Sequence, residues 1–118
     1  MKATIRLLSV GSEESMRAIY CALFGRSEYE LVTAVTYREL FAIPAHESFQ
    51  IAVLNHTLAK EELAPVAQLV RRRWSSARIL VVCADVPGID DPLYDDRVVP
   101  GLTPELLFTV IDRLAGGA

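Results

Sequence analysis

Few residues in this chain are able to do chemistry, and they are scattered. Asn55-His56-Thr57 closes the apolar run Phe49-Gln50-Ile51-Ala52-Val53-Leu54. An amide can bind and orient, but it has no nucleophilic carboxylate, so Asn55 cannot form an acyl phosphate. His56 could accept a phosphoryl group, although a histidine closing a strand more commonly serves as a hydrogen-bonded turn residue. Cys83 could be a redox-sensitive thiol, yet no basic neighbour is placed to lower its pKa, and it reads as a small residue finishing a buried strand. Asp85, Asp90, Asp91, Asp95 and Asp96 could hold Ca²⁺ loosely. They lack the spacing of an EF-hand loop and read as a solvated acidic loop. Ser12, His56 and Asp85 make a hydrolytic set on paper only, because no nucleophile-elbow pattern surrounds the serine. Gly11 alone is no phosphate cradle, and His46 in a polar loop carries no signal. Without an acid–base pair or an activated nucleophile, no enzyme, cofactor or metal site is expected.

Composition narrows the classes further. The chain has 118 residues, 52% of them hydrophobic, and a formal net charge of -3. That is one domain, residues 1–118, with enough apolar content to bury a core without disulfides or metals. An acidic balance gives no general attraction to nucleic acid. Arg71-Arg72-Arg73 is a small basic footprint, better read as cations at the negative end of a helix dipole. No apolar run reaches the length of a membrane span, and Met1 leads almost directly into a strand pattern, so a soluble cytoplasmic protein is expected. Cys21 and Cys83 lie in separate elements and read as buried free thiols.

The elements that position these residues follow from hydrophobic periodicity. A first strand is expected over 4–10, ended by Gly11-Ser12, with Ser12 as helix cap and Glu13 and Glu14 as first-turn acids. The helix that follows carries Met16, Ile19, Tyr20, Leu23 and Phe24 at three- and four-residue spacing, and Gly25 is placed to end it. A β-branched strand is expected over 29–36, a short helix over 37–42, and the central strand over 49–54. A helix over 60–74 contains Pro65, tolerable near a first turn. A fourth strand is expected over 78–84, a Pro- and Asp-rich loop over 85–96, and a short fifth strand over 97–99. Thr103-Pro104-Glu105 is a strong helix start for the final helix. Strands alternating with helices imply a parallel sheet covered on both faces. The connection between strands four and five is too short for a full helix with two loops.

Five βα units in this order resemble the receiver domain of two-component response regulators. The end of the central strand, Val53-Leu54-Asn55-His56-Thr57-Leu58, and the tail Val98-Val99-Pro100-Gly101-Leu102-Thr103-Pro104-Glu105-Leu106-Leu107 carry the resemblance. It implies an α/β, flavodoxin-like fold with strand order 2-1-3-4-5, the fourth helix being shortened or missing. In that family an acidic pair holds Mg²⁺, an aspartate accepts a phosphoryl group, and a hydroxyl residue and a lysine contact its oxygens. The matching positions here are Gly11 and Ser12 with Glu13 adjacent, then Asn55, Cys83 and Pro100, and the switch-aromatic position is Arg97. Glu13 and Glu14 would supply the metal carboxylates only after a register shift.

The resemblance therefore implies a pseudo-receiver, a phosphorylation-independent signalling module that works through protein contact. The expected partner is another protein or a second copy, met through strands four and five and the last helix. A shortened crossover there would leave apolar surface and a strand edge needing cover. Direct contact with nucleic acid or membrane is not expected. The alternative is a small-ligand sensor whose altered pocket lies between Gly11, Asn55, Cys83 and Pro100, with ligand binding raising apparent stability.

Overall fold

A computed structural model describes residues 4–55, 60–82, 94–98 and 103–116. Five strands, β1 (Ile5–Val10), β2 (Tyr29–Ala34), β3 (Ile51–Leu54), β4 (Arg78–Val82) and β5 (Asp96–Val98), form one sheet in the order β2-β1-β3-β4-β5. Every pairing is parallel, with Leu7 opposite both Leu31 and Ile51, Leu54 opposite Val81, and Val81 opposite Arg97. All four residues of β3 are buried, as a central strand covered on two faces requires. The expected doubly covered parallel sheet and its strand order are both present.

The alternation of side chains along each strand divides the core in two. Leu8, Val10, Ala52, Leu54, Ile79 and Val81 point to the face covered by α2 (Tyr37–Ala42) and α3 (Lys60–Arg73). Leu7, Ile51, Val53, Leu80 and Val82 meet α1 (Glu13–Leu23) and α4 (Pro104–Ala115) on the other. These are the four helices among the described residues. The expectation of a shortened helix between β4 and β5 falls on residues 83–93, outside the described residues.

Helix ends follow local chemistry. The Thr36 and Thr103 hydroxyls accept from the backbone N–H groups of Glu39 and Leu106, and Pro104 opens α4. The Ser12 carbonyl accepts the first helical bond of α1 from the Met16 N–H at 3.1 Å. Gly25, with φ 76°, provides the left-handed residue that ends α1. Pro65 lies inside α3, beyond its first turn. The strand limits differ from expectation by a residue or two. Phe49 and Gln50 precede β3 rather than belong to it, and Gln50 is held by reciprocal bonds with Arg6.

On α1 the apolar stripe is displaced from its expected position. Met16, Ile19 and Ala22 face the core, whereas Tyr20 and Phe24 are exposed, Phe24 to 88%. Cys21 is a free thiol, but it is exposed with them, contrary to the buried position expected. Burial at positions 16, 19 and 22 satisfies the sheet and leaves the adjacent aromatics outside.

Charged side chains close the β5 side. The Asp95 carboxylate accepts from Arg71 at 2.8 Å and from the Ile79 N–H at 2.7 Å, while the Asp95 N–H donates to the Ile79 carbonyl at 2.9 Å. Arg71 also donates to the Ala77 carbonyl, so one side chain ties α3, its exit turn and the start of β5 together. Asp96 accepts from Arg113 of α4 at 2.8 Å. Asp95 and Asp96 are therefore anchors, not members of a solvated acidic loop. Arg73 donates to the carbonyls of Phe41 and Ile43, which end α2. Two of the three arginines expected merely to complement the helix dipole thus bridge elements.

Replacing Asp95 by Ala is expected to cost about 2 kcal/mol, because a charged acceptor of two bonds is lost and the Ile79 N–H is orphaned. Chemical denaturation measures it, and a cost below a few tenths of that value would contradict the anchoring role. Tyr29 offers a pH test. Burial, reinforced by donation to the Asp112 carboxylate at 2.9 Å, holds its phenol above the ordinary value. A raised folded-state pKa gives stability that is present below about pH 10, the unfolded value, and is lost as pH rises beyond it. Tyr29→Phe is expected to lower stability by about 1 kcal/mol at neutral pH and to flatten the alkaline limb of the stability curve.

Candidate functional site

The carboxyl ends of β1 and β3 lie side by side, with Val10 opposite Leu54. Alternation places Ser9 on the same face as Leu7, and Asn55 on the same face as Val53, toward α1 and α4. Both polar residues are buried, Asn55 to 2% exposure. The Asn55 Nδ2 donates to the Val10 carbonyl at 2.8 Å and to Ser9 Oγ at 3.0 Å. The Asn55 backbone N–H donates to the same carbonyl at 2.9 Å. A carbonyl only accepts, so the nitrogen of the amide, not its oxygen, faces Val10. This side chain is turned inward and spends both amide protons on β1.

Gly11 continues β1 past this point, buried, with its N–H donating to Ala34 on β2 at 3.1 Å. Its φ of 150° lies in a region that side-chain-bearing residues rarely adopt. A carboxylate at this position would carry backbone strain as well as needing room. The structure thus brings together Gly11, Ser12 and Asn55 at one sheet edge, with Ser12 passing the chain into α1. Glu13 begins α1, but its side chain lies outside what is described. Cys83, Pro100 and His56 lie outside the described residues. Arg97 is in β5 opposite Val81, with its side chain exposed.

Ser9 is the member of this cluster that sequence reading passed over. The signal was a serine set between Leu8 and Val10 in Ile5-Arg6-Leu7-Leu8-Ser9-Val10, which in a buried strand must find a partner. Asn55 is that partner. Among the described residues no group of three His, Cys, Asp or Glu is placed to hold a metal ion, and no helix is long and apolar enough to cross a membrane.

Among the described residues, most exposed large apolar side chains lie away from the β4–β5–α4 face expected to bind. Leu106 on α4 belongs to that face, whereas Val35, Tyr37 and Phe41 follow β2. Tyr20, Cys21 and Phe24 line a shallow groove of about 320 Å³ on α1.

Two substitutions test the inward geometry. Asn55→Asp removes both amide donors and sets a carboxylate against the Val10 carbonyl, with an expected cost of about 3 kcal/mol at pH 7. A protonated carboxyl regains one donor, so the deficit is expected to shrink as pH falls toward about 4, the ordinary carboxylate range. Gly11→Asp is expected to cost about 1–3 kcal/mol from backbone strain. Denaturation midpoints measure both, and an Asn55→Asp variant as stable as the parent would contradict the geometry.

No family model and no curated relative matches the chain. Solved structures do. A response regulator from Thermotoga maritima superposes with a TM-score of 0.79 at 14% identity, covering 96% of this chain and 98% of that one. The chemotaxis response regulator CheY4 of Vibrio cholerae gives 0.76 at 18% identity, over 95% of this chain and 99% of that one. A putative pilus assembly-related protein from Burkholderia pseudomallei gives 0.73 at 16% identity, over 98% and 92%. Identities this low speak to architecture alone, and with the strand order observed here they agree on one: the chain has the CheY-like, flavodoxin-like fold of response-regulator receiver domains.

Proposed function

We propose that this chain is a non-catalytic signalling module, a pseudo-receiver that acts through protein contact and is not switched by aspartyl phosphorylation. The observation that carries this reading is the buried Asn55 amide, which donates to Ser9 and to the Val10 carbonyl. The position that the resemblance assigns to the phosphoacceptor thus holds a group with no nucleophilic oxygen, engaged as a strut between two strands. Gly11, at the position of a metal-binding acid, adds a backbone that disfavours any such acid. Few anionic ligands then remain for a hard divalent cation.

Contact with a protein or with a second copy is the mode of action that remains once phosphotransfer is set aside. Exposed Leu106 supports use of the face built from β4, β5 and α4. A homodimer through that face and a cytoplasmic setting complete the proposal. The small-ligand reading draws less support, because the amide meant to greet a ligand is committed to β1.

Intact-mass measurement after incubation with acetyl phosphate and Mg²⁺, beside light scattering of untreated protein, tests the proposal. The expected result is no added phosphoryl mass and an association state unchanged by the treatment. A stable phosphoryl adduct would overturn it and direct attention to His56.

A further inference from the structure

A second surface, built by α2 and the last turn of α3, lies outside that reading. Tyr37 and Phe41 sit one turn apart on α2 and stack with ring centroids 6.5 Å apart and 26° between their planes. They remain 45% and 55% exposed. The Arg73 guanidinium lies 4.5 Å from the Phe41 centroid, held there by donation to the Phe41 and Ile43 carbonyls at 2.8 and 2.7 Å. Arg38 on α2 and Arg72 beside Arg73 are exposed. Among the described residues, none of Arg38, Arg72 and Arg73 forms an ion pair. Glu39, the acid of α2, has its carboxylate near the Thr36 hydroxyl at the start of the helix.

Aromatic rings and arginines are the side chains that most often carry binding energy at protein interfaces. Here the rings are already stacked and one arginine is already fixed, so little conformational freedom remains to be lost on binding. The charge pattern selects the occupant. A second copy docking on the same face would set arginines against arginines. A polyphosphate chain could pair with the arginines but would leave the exposed ring pair of Tyr37 and Phe41 without an apolar contact. An acidic segment with an aromatic or aliphatic anchor satisfies both features, the anchor on Tyr37 and Phe41 and the carboxylates on the arginines.

We propose that α2 and the C-terminal turn of α3 form a docking surface for an acidic, aromatic-bearing segment of a protein partner. This rests on the reading of the chain as a contact module and names the partner's chemistry. The test is titration of the isotopically labelled full chain with a random glutamate–tyrosine copolymer, followed by nuclear magnetic resonance. Polyglutamate, a lysine–tyrosine copolymer and a single-stranded oligothymidylate serve as comparators. Shifts are expected to centre on Tyr37, Arg38, Phe41, Arg72 and Arg73 and to weaken with added salt. The double variant Arg38→Glu/Arg72→Glu is expected to bind at least about tenfold more weakly, whereas Arg38→Lys/Arg72→Lys retains most of the affinity. Both sites are exposed, and an unchanged spectrum elsewhere shows that the variants fold. Absence of shifts, shifts on another face, or preference for the lysine copolymer or the oligothymidylate would overturn the surface. Binding is read on untreated protein, so its absence bears on this surface alone, while a phosphoryl adduct bears on the phosphorylation-independent reading alone.

Discussion

The Val10 carbonyl oxygen has two lone pairs and nothing to donate, and both the backbone and the side chain of Asn55 donate to it. That constraint orients the amide without ambiguity and joins the ends of β1 and β3 at the centre of the sheet. It also gives the buried Ser9 hydroxyl a donor, so the polar pair is mutually satisfied inside an apolar layer. A carboxylate could not take this role, being an acceptor facing an acceptor. The residue type at position 55 is thus accounted for by the bonds it makes to β1, and the backbone of Gly11 beside it leaves little room for an acid there.

Much of this architecture was legible in the residues. Alternation and apolar runs located every strand, and the cap-plus-proline start of α4 and the whole of α2 appeared where expected. Such features are local, set by backbone period and capping chemistry. Tertiary choices were less visible. Periodicity on α1 marked an apolar stripe but could not say that burial would centre on Met16, Ile19 and Ala22 and leave Tyr20, Cys21 and Phe24 outside. The type of Asn55 could be read directly, but the direction of its amide depended on Ser9 and Val10, which are distant in sequence. Asp95 looked like one aspartate among five in a polar loop, and only the approach of Arg71 from α3 makes it an anchor.

Charge is used in two ways across the molecule. Arg71 and Arg113 are consumed internally, pairing with Asp95 and Asp96 and fixing β5 against α3 and α4. Arg6 likewise pairs with Glu30 and Glu47 on the strand-entry side. The arginines around α2 keep their charge outward beside stacked rings.

The most direct measurement follows the Asn55 side-chain amide protons by nuclear magnetic resonance, before and after adding Mg²⁺ with beryllofluoride, a phosphoryl mimic. The account gives two resolved, slowly exchanging protons whose positions do not change, since both are bonded inside the sheet. Rapid exchange, or a saturable shift of those resonances on adding the mimic, would show an amide open to the site and would contradict it.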